Sequence, residues 1–196
     1  MTYTHHPLRV VTLFSGYDSQ CMALDRLKRA NPDFDYDLVA WCEIDPYAIQ
    51  AHNAVYPQYA DRNLGDITKV DWDNVPACDL ITWSFPCQSI SSAGLQHGLS
   101  EDSGTRSSLG FNAVHGITTL RPKYALMENV KALVSKKFMP DFQKLQDYLS
   151  EAGYTNYWKV VNATQCGVPQ NRERVFMVSI LGDHQPYRFP DPESRG

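Results

Sequence analysis

Apolar residues in this chain fall in short runs separated by stretches of helical spacing. Residues 8–14, Leu-Arg-Val-Val-Thr-Leu-Phe, read as a first strand. Residues 20–30 then read as a helix, with Asp18 or Ser19 in the capping position. Residues 37–44 form a second strand, and Asp45-Pro46 supply the N-cap and first residue of a short helix running toward Asn53. Residues 79–83 and 124–127 are short apolar runs bounded by polar turns, as expected of central strands. Phe142, Leu145, Leu149 and Ala152 share one helical face ahead of Gly153. Residues 156–161 and 174–180 complete the strands, and the Pro-rich end, 186–196, carries no closing element. No internal repeat or low-complexity tract interrupts this order. Alternation of this kind predicts an α/β fold: a Rossmann-like, mostly parallel sheet with helices on both faces. The stretch 84–105 is the exception. It is rich in Ser and Gly and shows no helical pattern, and so long a loop in a small domain is usually functional.

Composition narrows the class. At 196 residues, 43% hydrophobic and 20% charged, the chain suits one globular domain with one sizeable core. No apolar run is long enough to span a membrane, and the N-terminus lacks the apolar segment of a signal peptide. The five cysteines (Cys21, Cys42, Cys78, Cys87 and Cys166) are scattered and never spaced C-x-x-C. That argues against a disulfide framework or a zinc knuckle and fits a reducing cytoplasm. The net charge of -4 gives no overall basic footprint for nucleic acid, though a local basic cleft is compatible with it.

Four local patterns carry candidate chemistry. Trp83-Ser84-Phe85-Pro86-Cys87-Gln88 puts a thiol just past a strand's carboxyl end, the edge where α/β sheets gather ligands. The plain alternative is a buried structural thiol. A zinc deaminase is excluded, because its Pro-Cys is followed three residues later by a second Cys, and Ile90 stands there. Met127-Glu128-Asn129-Val130 places a carboxylate at another strand end, where it is either functional or simply solvated. Gln170-Asn171-Arg172-Glu173-Arg174 offers two arginines at alternate positions, which extended chain points to one side. Leu13-Phe14-Ser15-Gly16-Tyr17-Asp18 lies between first strand and first helix, the nucleotide-binding turn of a Rossmann-like fold. Glu43 ends strand two, where an acid can hold ribose hydroxyls, and Gly65-Asp66-Ile67 comes later.

Taken in this order, the patterns from Leu8 to about Arg188 resemble the DNA cytosine-5 methyltransferase family. The shared marks are the Phe-x-Gly turn, the Glu after strand two, Gly-Asp-Ile, Pro-Cys-Gln, Glu-Asn-Val and Gln-x-Arg-x-Arg. The resemblance implies S-adenosylmethionine as cofactor, S-adenosylhomocysteine as product and no metal. Phe14, Ser15 and Gly16 would contact the cofactor, with Glu43 on its ribose, Asp66 and Ile67 on its adenine, and Ile44 and Leu109 as apolar contacts. Cys87 would be the nucleophile, Glu128 its acid partner, and Arg172 and Arg174 would hold the base. Pro86, Gln88, Ser91, Asn129 and Val130 would line the substrate site. The implied substrate is double-stranded DNA with its cytosine flipped out, in a bacterial or phage restriction-modification setting. Two rivals stay open: an RNA cytosine-5 methyltransferase, and a non-catalytic remnant or one half of a split enzyme.

Three departures from the family pattern stand out. Thr12 replaces the Asp before Leu-Phe, and Tyr17-Asp18-Ser19 replaces a Gly-x-Gly-Gly turn. The target-recognition region and the closing Gly-Asn motif are absent. The expectation is therefore a single catalytic domain, completed by a further segment or a complementary polypeptide.

Overall fold

The computed structural model describes residues 6–86 and 109–191. Six strands form one sheet: β1 (Leu8–Leu13), β2 (Tyr36–Cys42), β3 (Leu80–Trp83), β4 (Tyr124–Val130), β5 (Tyr154–Asn162) and β6 (Glu173–Leu181). Their spatial order is β2-β1-β3-β4-β6-β5. The β2, β1, β3 and β4 ladders are parallel. β6 runs antiparallel to both of its neighbours, inserted between β4 and β5. The chain thus forms four parallel strands, then a β5–β6 hairpin-like pair whose second strand docks inward.

Four α-helices cover the sheet: α1 (Ser19–Ala30), α2 (Pro46–Val55), α3 (Leu109–Leu120) and α4 (Met139–Glu151). The main core packs α3 and α4 against Val11, Leu13, Ile81, Trp83, Ala125, Met127, Val175 and Met177. A smaller core on the opposite face joins α1 and α2 to Val10, Leu38 and Trp41. One β2 residue makes this possible. The register skips between Val10 and Val11, so Leu38 faces the smaller core and Ala40 the larger.

The strands lie where the apolar runs predict, with two corrections. β4 continues through Glu128 and Asn129 to Val130, three residues beyond the 124–127 run, because its ladder with β6 extends to Val130 opposite Arg174. Glu128 is therefore held inside a strand rather than at its loose end. α3 was not expected as a helix at all. Two glycines and the β-branched Val114, Ile117, Thr118 and Thr119 give it poor intrinsic propensity. It forms because it is buried. A Cβ on Gly116 would lie 2.6 Å from the Trp72 ring, and one on Gly110 3.2 Å from Phe85.

Candidate active site

The carboxyl ends of β1, β3 and β4 meet at one edge, and the first functional feature there is the turn between β1 and α1. Phe14, Gly16 and Asp18 all have left-handed backbone, with φ of 57°, 58° and 65°. For Phe and Asp that conformation costs about 1–3 kcal/mol each, so the surroundings must enforce it. Ser15 supplies one tie, its N–H donating to the Cys42 carbonyl at 3.1 Å. Glu43 supplies another, accepting the Gly16 N–H at 2.9 Å. The same carboxylate accepts the N–H groups of Ile44 and Asp45 at 2.8 and 2.9 Å. Glu43 is therefore first an organiser of the turn. A carboxylate has about four acceptor sites, so room for a further donor remains. Ile44 beside it is 65% exposed, an apolar surface of the kind a flat ring seeks.

Asp66 caps the short turn that follows it, accepting from the Thr68 side chain and N–H at 2.8 and 3.0 Å. Those hydrogen bonds hold its carboxyl below the usual carboxylate range, so it stays an acceptor at neutral pH. Ile67 is buried in the main core, with only its margin left for a ligand. Leu109 opens α3 and packs on the same core. The Cys42 thiol donates to the Gly65 carbonyl at 2.9 Å, tying the end of β2 to this turn.

At β3, Phe85 is buried and Pro86 half-buried as the chain approaches Cys87. Cys87, Gln88 and Ser91 lie outside the described residues. Their approach is nonetheless anchored, since buried Asn129 donates from Nδ2 to the Phe85 carbonyl at 3.2 Å. Phe85, two residues before Cys87, and Asn129, next to Glu128, are thereby joined at one edge. Val130 follows, half-buried, at the end of β4. Arg174 Nε lies 3.0 Å from Glu128 Oε1, with both side chains partly exposed. Arg172 is exposed just before β6.

A groove of about 640 Å³ runs along this edge and down beside α1. It brings Phe14, Ser15 and Gly16 together with Glu128 and Arg172. Glu43, Ile44, Asp66 and Ile67 are not among its lining, and of these Glu43 connects to it through the Gly16 bond. Sequence reasoning missed Tyr17, Thr82, Leu126 and Phe176, which also line it. Strand alternation could have found the last three: the register pairs Thr82 with Leu126, and Glu128 with Phe176, on one face. Among the described residues, no cluster of His, Cys, Asp and Glu could hold a metal ion.

The described thiols are poor nucleophile candidates by comparison with one at this edge. Burial pushes Cys42 and Cys78 up to about 12 and raises Cys21 as well. Cys166 is exposed and lies outside the groove lining.

The family profile described as C-5 cytosine-specific DNA methylase matches residues 8–195. The chain belongs to that family. It is 49% identical over 134 residues to the type II methyltransferase M2.ScrFI of Lactococcus lactis subsp. cremoris, covering 68% of this chain and 37% of that one. It is 33% identical over 184 residues to the type II methyltransferase M.NgoBI of Neisseria gonorrhoeae, covering 94% of this chain and 54% of that one. The crystal structure of Spodoptera frugiperda DNMT2 shares its fold, with a TM-score of 0.73, 21% identity and coverage of 94% of this chain and 53% of that one. The chain thus spans about half the length, or less, of these relatives.

Proposed function

We propose that this chain is the catalytic portion of an enzyme that methylates C5 of cytosine in DNA, with Cys87 as nucleophile. The observation that carries the reading is the groove joining the Phe14–Gly16 turn to Glu128 and Arg172, at the edge where Pro86 delivers Cys87. S-adenosylmethionine, when bound, supplies an electrophilic methyl group. The turn's residues fit it: the half-buried Gly16, the apolar Ile44 face, and the acceptors Glu43 and Asp66 suit a nucleoside with hydroxyl and amino donors.

Cytosine C5 is a weak nucleophile, so the protein must first activate the ring. The Cys87 thiolate would form a bond to C6, turning the ring into an enamine with electron density at C5. Charge from that attack collects toward N3 and O2. Glu128 would hold a proton at N3, and Arg174, whose Nε lies 3.0 Å from Glu128 Oε1, would steady that carboxyl against the base. Arg172 would face O2. C5 then forms its bond to the methyl carbon as the carbon–sulfur bond breaks. Loss of the C5 proton, with expulsion of Cys87, restores the ring. A base stacked in duplex DNA cannot reach this edge, so it must be flipped out.

Cys87→Ser tests the reading, because a hydroxyl is far less ionised than a thiol. With the remaining polypeptide supplied to variant and unchanged protein alike, the variant should fold and bind S-adenosylhomocysteine yet transfer no tritiated methyl to DNA. The unchanged protein should form a covalent adduct with DNA containing 5-fluorocytosine, where fluorine cannot leave as a proton does. Full transfer by Cys87→Ser would remove Cys87 from the reaction. Competition between DNA and transfer RNA in the same assay separates the DNA from the RNA enzyme.

We further infer that the groove is covered in the working protein by polypeptide beyond this catalytic portion, carried by the same chain or by a partner. Half-buried Leu80, Leu126 and Phe176 form an apolar shelf beside Leu24 and Leu27 of α1, and Leu27 is 53% exposed. Thr82 Oγ1 on that shelf is buried with no hydrogen-bond partner among the described residues, so a covering segment would bring it one. Relatives of about twice this length have residues enough to supply such a segment. With no described helix long and apolar enough to cross a membrane, a cytoplasmic setting is the natural proposal.

A further inference from the structure

Behind the β1–α1 turn lies a polar cluster that the proposed reaction does not use. Asp18 is completely buried and left-handed, and it caps α1 by accepting the Cys21 N–H at 3.2 Å. Its other oxygen accepts the Thr12 hydroxyl at 2.8 Å. His52, also completely buried, places Nε2 3.5 Å from that oxygen. The separation suits an ion pair but is not aligned as a hydrogen bond, and no other partner reaches Nε2 among the described residues. His52 is held in place by stacking on Trp41, with ring centroids 3.7 Å apart and planes 17° from parallel.

The cluster reaches forward into the turn. Thr12 Oγ1 lies 2.9 Å from Ser15 Oγ, and Ser15 Oγ also lies 2.9 Å from the Thr12 carbonyl and 3.3 Å from the Cys42 carbonyl. Thr12 is next to last in β1, Asp18 caps α1, His52 sits on α2, and Cys42 ends β2, so four elements converge behind Ser15. None of Thr12, Asp18 or His52 lines the groove, so any influence on a ligand must pass through the turn.

We propose that Asp18 and His52 are positioning residues that hold the Phe14–Gly16 turn in its ligand-receiving shape. This rests on the reading that the turn receives S-adenosylmethionine. Two facts favour positioning over plain packing. The turn has three left-handed residues in five, two of them not glycine, and such a path relaxes unless fixed from outside. The polar atoms that fix it are buried, with Thr12 bonded to both Ser15 and Asp18 and His52 Nε2 set against the same Asp18 oxygen, whereas a packing role would be filled as well by apolar side chains.

Asp18→Gly separates the two. Glycine adopts φ near 65° freely, so a turn governed by backbone preference alone would be undisturbed or firmer. If the pair positions the turn, Asp18→Gly should loosen it even though strain is relieved. His52→Phe keeps a ring on Trp41 and removes Nε2, and it decides the question should Asp18→Gly fail to fold. The measurement is amide hydrogen exchange on the whole chain without ligand, followed by calorimetric titration with S-adenosylhomocysteine. In both variants, exchange at residues 14–18 should rise roughly tenfold while the β1 amides stay protected, and affinity should fall by a similar factor. Asp18→Asn, which keeps one acceptor oxygen and puts an amide donor where the other stood, should fall between. Turn exchange as slow as in the unchanged protein, or faster exchange spread evenly over β1 and α1, would overturn the proposal. Because exchange is read without ligand, failure of the unchanged chain to bind S-adenosylhomocysteine would strike the cofactor reading and leave the pair standing.

Discussion

Individual side chains at the carboxyl edge serve two masters, the fold and the proposed chemistry, and their variants should show both. Glu43 is the clearest case. It accepts three backbone N–H groups, one of them from Gly16 across the turn. Asp66 accepts only from its own short turn. Glu43→Ala and Asp66→Ala should each weaken S-adenosylhomocysteine binding by roughly 1–3 kcal/mol, the loss of a hydrogen bond to a charged group. Glu43→Ala should be the more damaging, because the Gly16 N–H is released as well. Calorimetry checks the order, and equal or absent effects would place the cofactor elsewhere. Glu128→Gln should behave differently. It cannot hand over a proton, so methyl transfer should fall by about 10²–10⁴ while cofactor affinity is unchanged. A parallel fall in affinity would mean that Glu128 supports the groove rather than the reaction.

Among the elements, α3 shows where sequence pattern gives out. Its glycines and β-branched residues argue against a helix, yet the glycines are what let the Trp72 and Phe85 rings approach its axis. Gly116→Ala therefore tests the packing against propensity. Alanine favours a helix by about 1 kcal/mol, but a methyl 2.6 Å from a buried ring costs about 1–3 kcal/mol or more. Thermal denaturation should show a net loss of stability; a raised melting temperature would mean that Trp72 yields freely. Sequence pattern succeeds where periodicity and turn chemistry agree. The six strands are legible as apolar runs, and Asp45-Pro46 caps α2 as its composition implies, accepting two N–H groups at 2.9 Å. The reversed direction of β6 is not legible, since an apolar run has no polarity. Nor is the length of β4, because Glu128 and Asn129 interrupt its apolar run while the ladder continues beneath them. The site divides likewise. Motifs mark Glu128 and Arg174, which do pair, but Asp18 and His52 meet only through the fold, 34 positions apart and without a local signal.

At the scale of the whole molecule, charge and apolar surface are both distributed unevenly. Asp33, Asp35, Asp37 and Asp79 line a cavity at the amino edge of the sheet, partly matched by Arg9 there. Lys131, Lys136, Lys137, Arg172 and Arg174 lie at the carboxyl edge or in the segments leaving it. Glu173 and Glu128 pair with Lys131 and Arg174 there, so the edge offers phosphates scattered cations rather than a continuous basic surface. Phosphate attraction alone is indifferent to sequence. The 196-residue chain should accordingly bind DNA weakly, with affinity that drops steeply as salt rises. The groove beside α1 sets the second limit. Its shelf of Leu80, Leu126 and Phe176 is open along Leu27, and an uncovered apolar surface of this kind is an interaction site or an aggregation liability. The isolated chain should therefore bind cofactor weakly and show little or no site-specific transfer. Supplying the remaining polypeptide should restore both, and Leu27→Asp should block that rescue by putting a charge where the covering segment must seat. The decisive comparison is tritiated-methyl transfer by the chain alone, by the chain with the remaining polypeptide, and by the Leu27→Asp chain with it. Robust site-specific methylation by the chain alone would show that the groove needs no cover. Undiminished rescue of Leu27→Asp would move the covering segment away from α1.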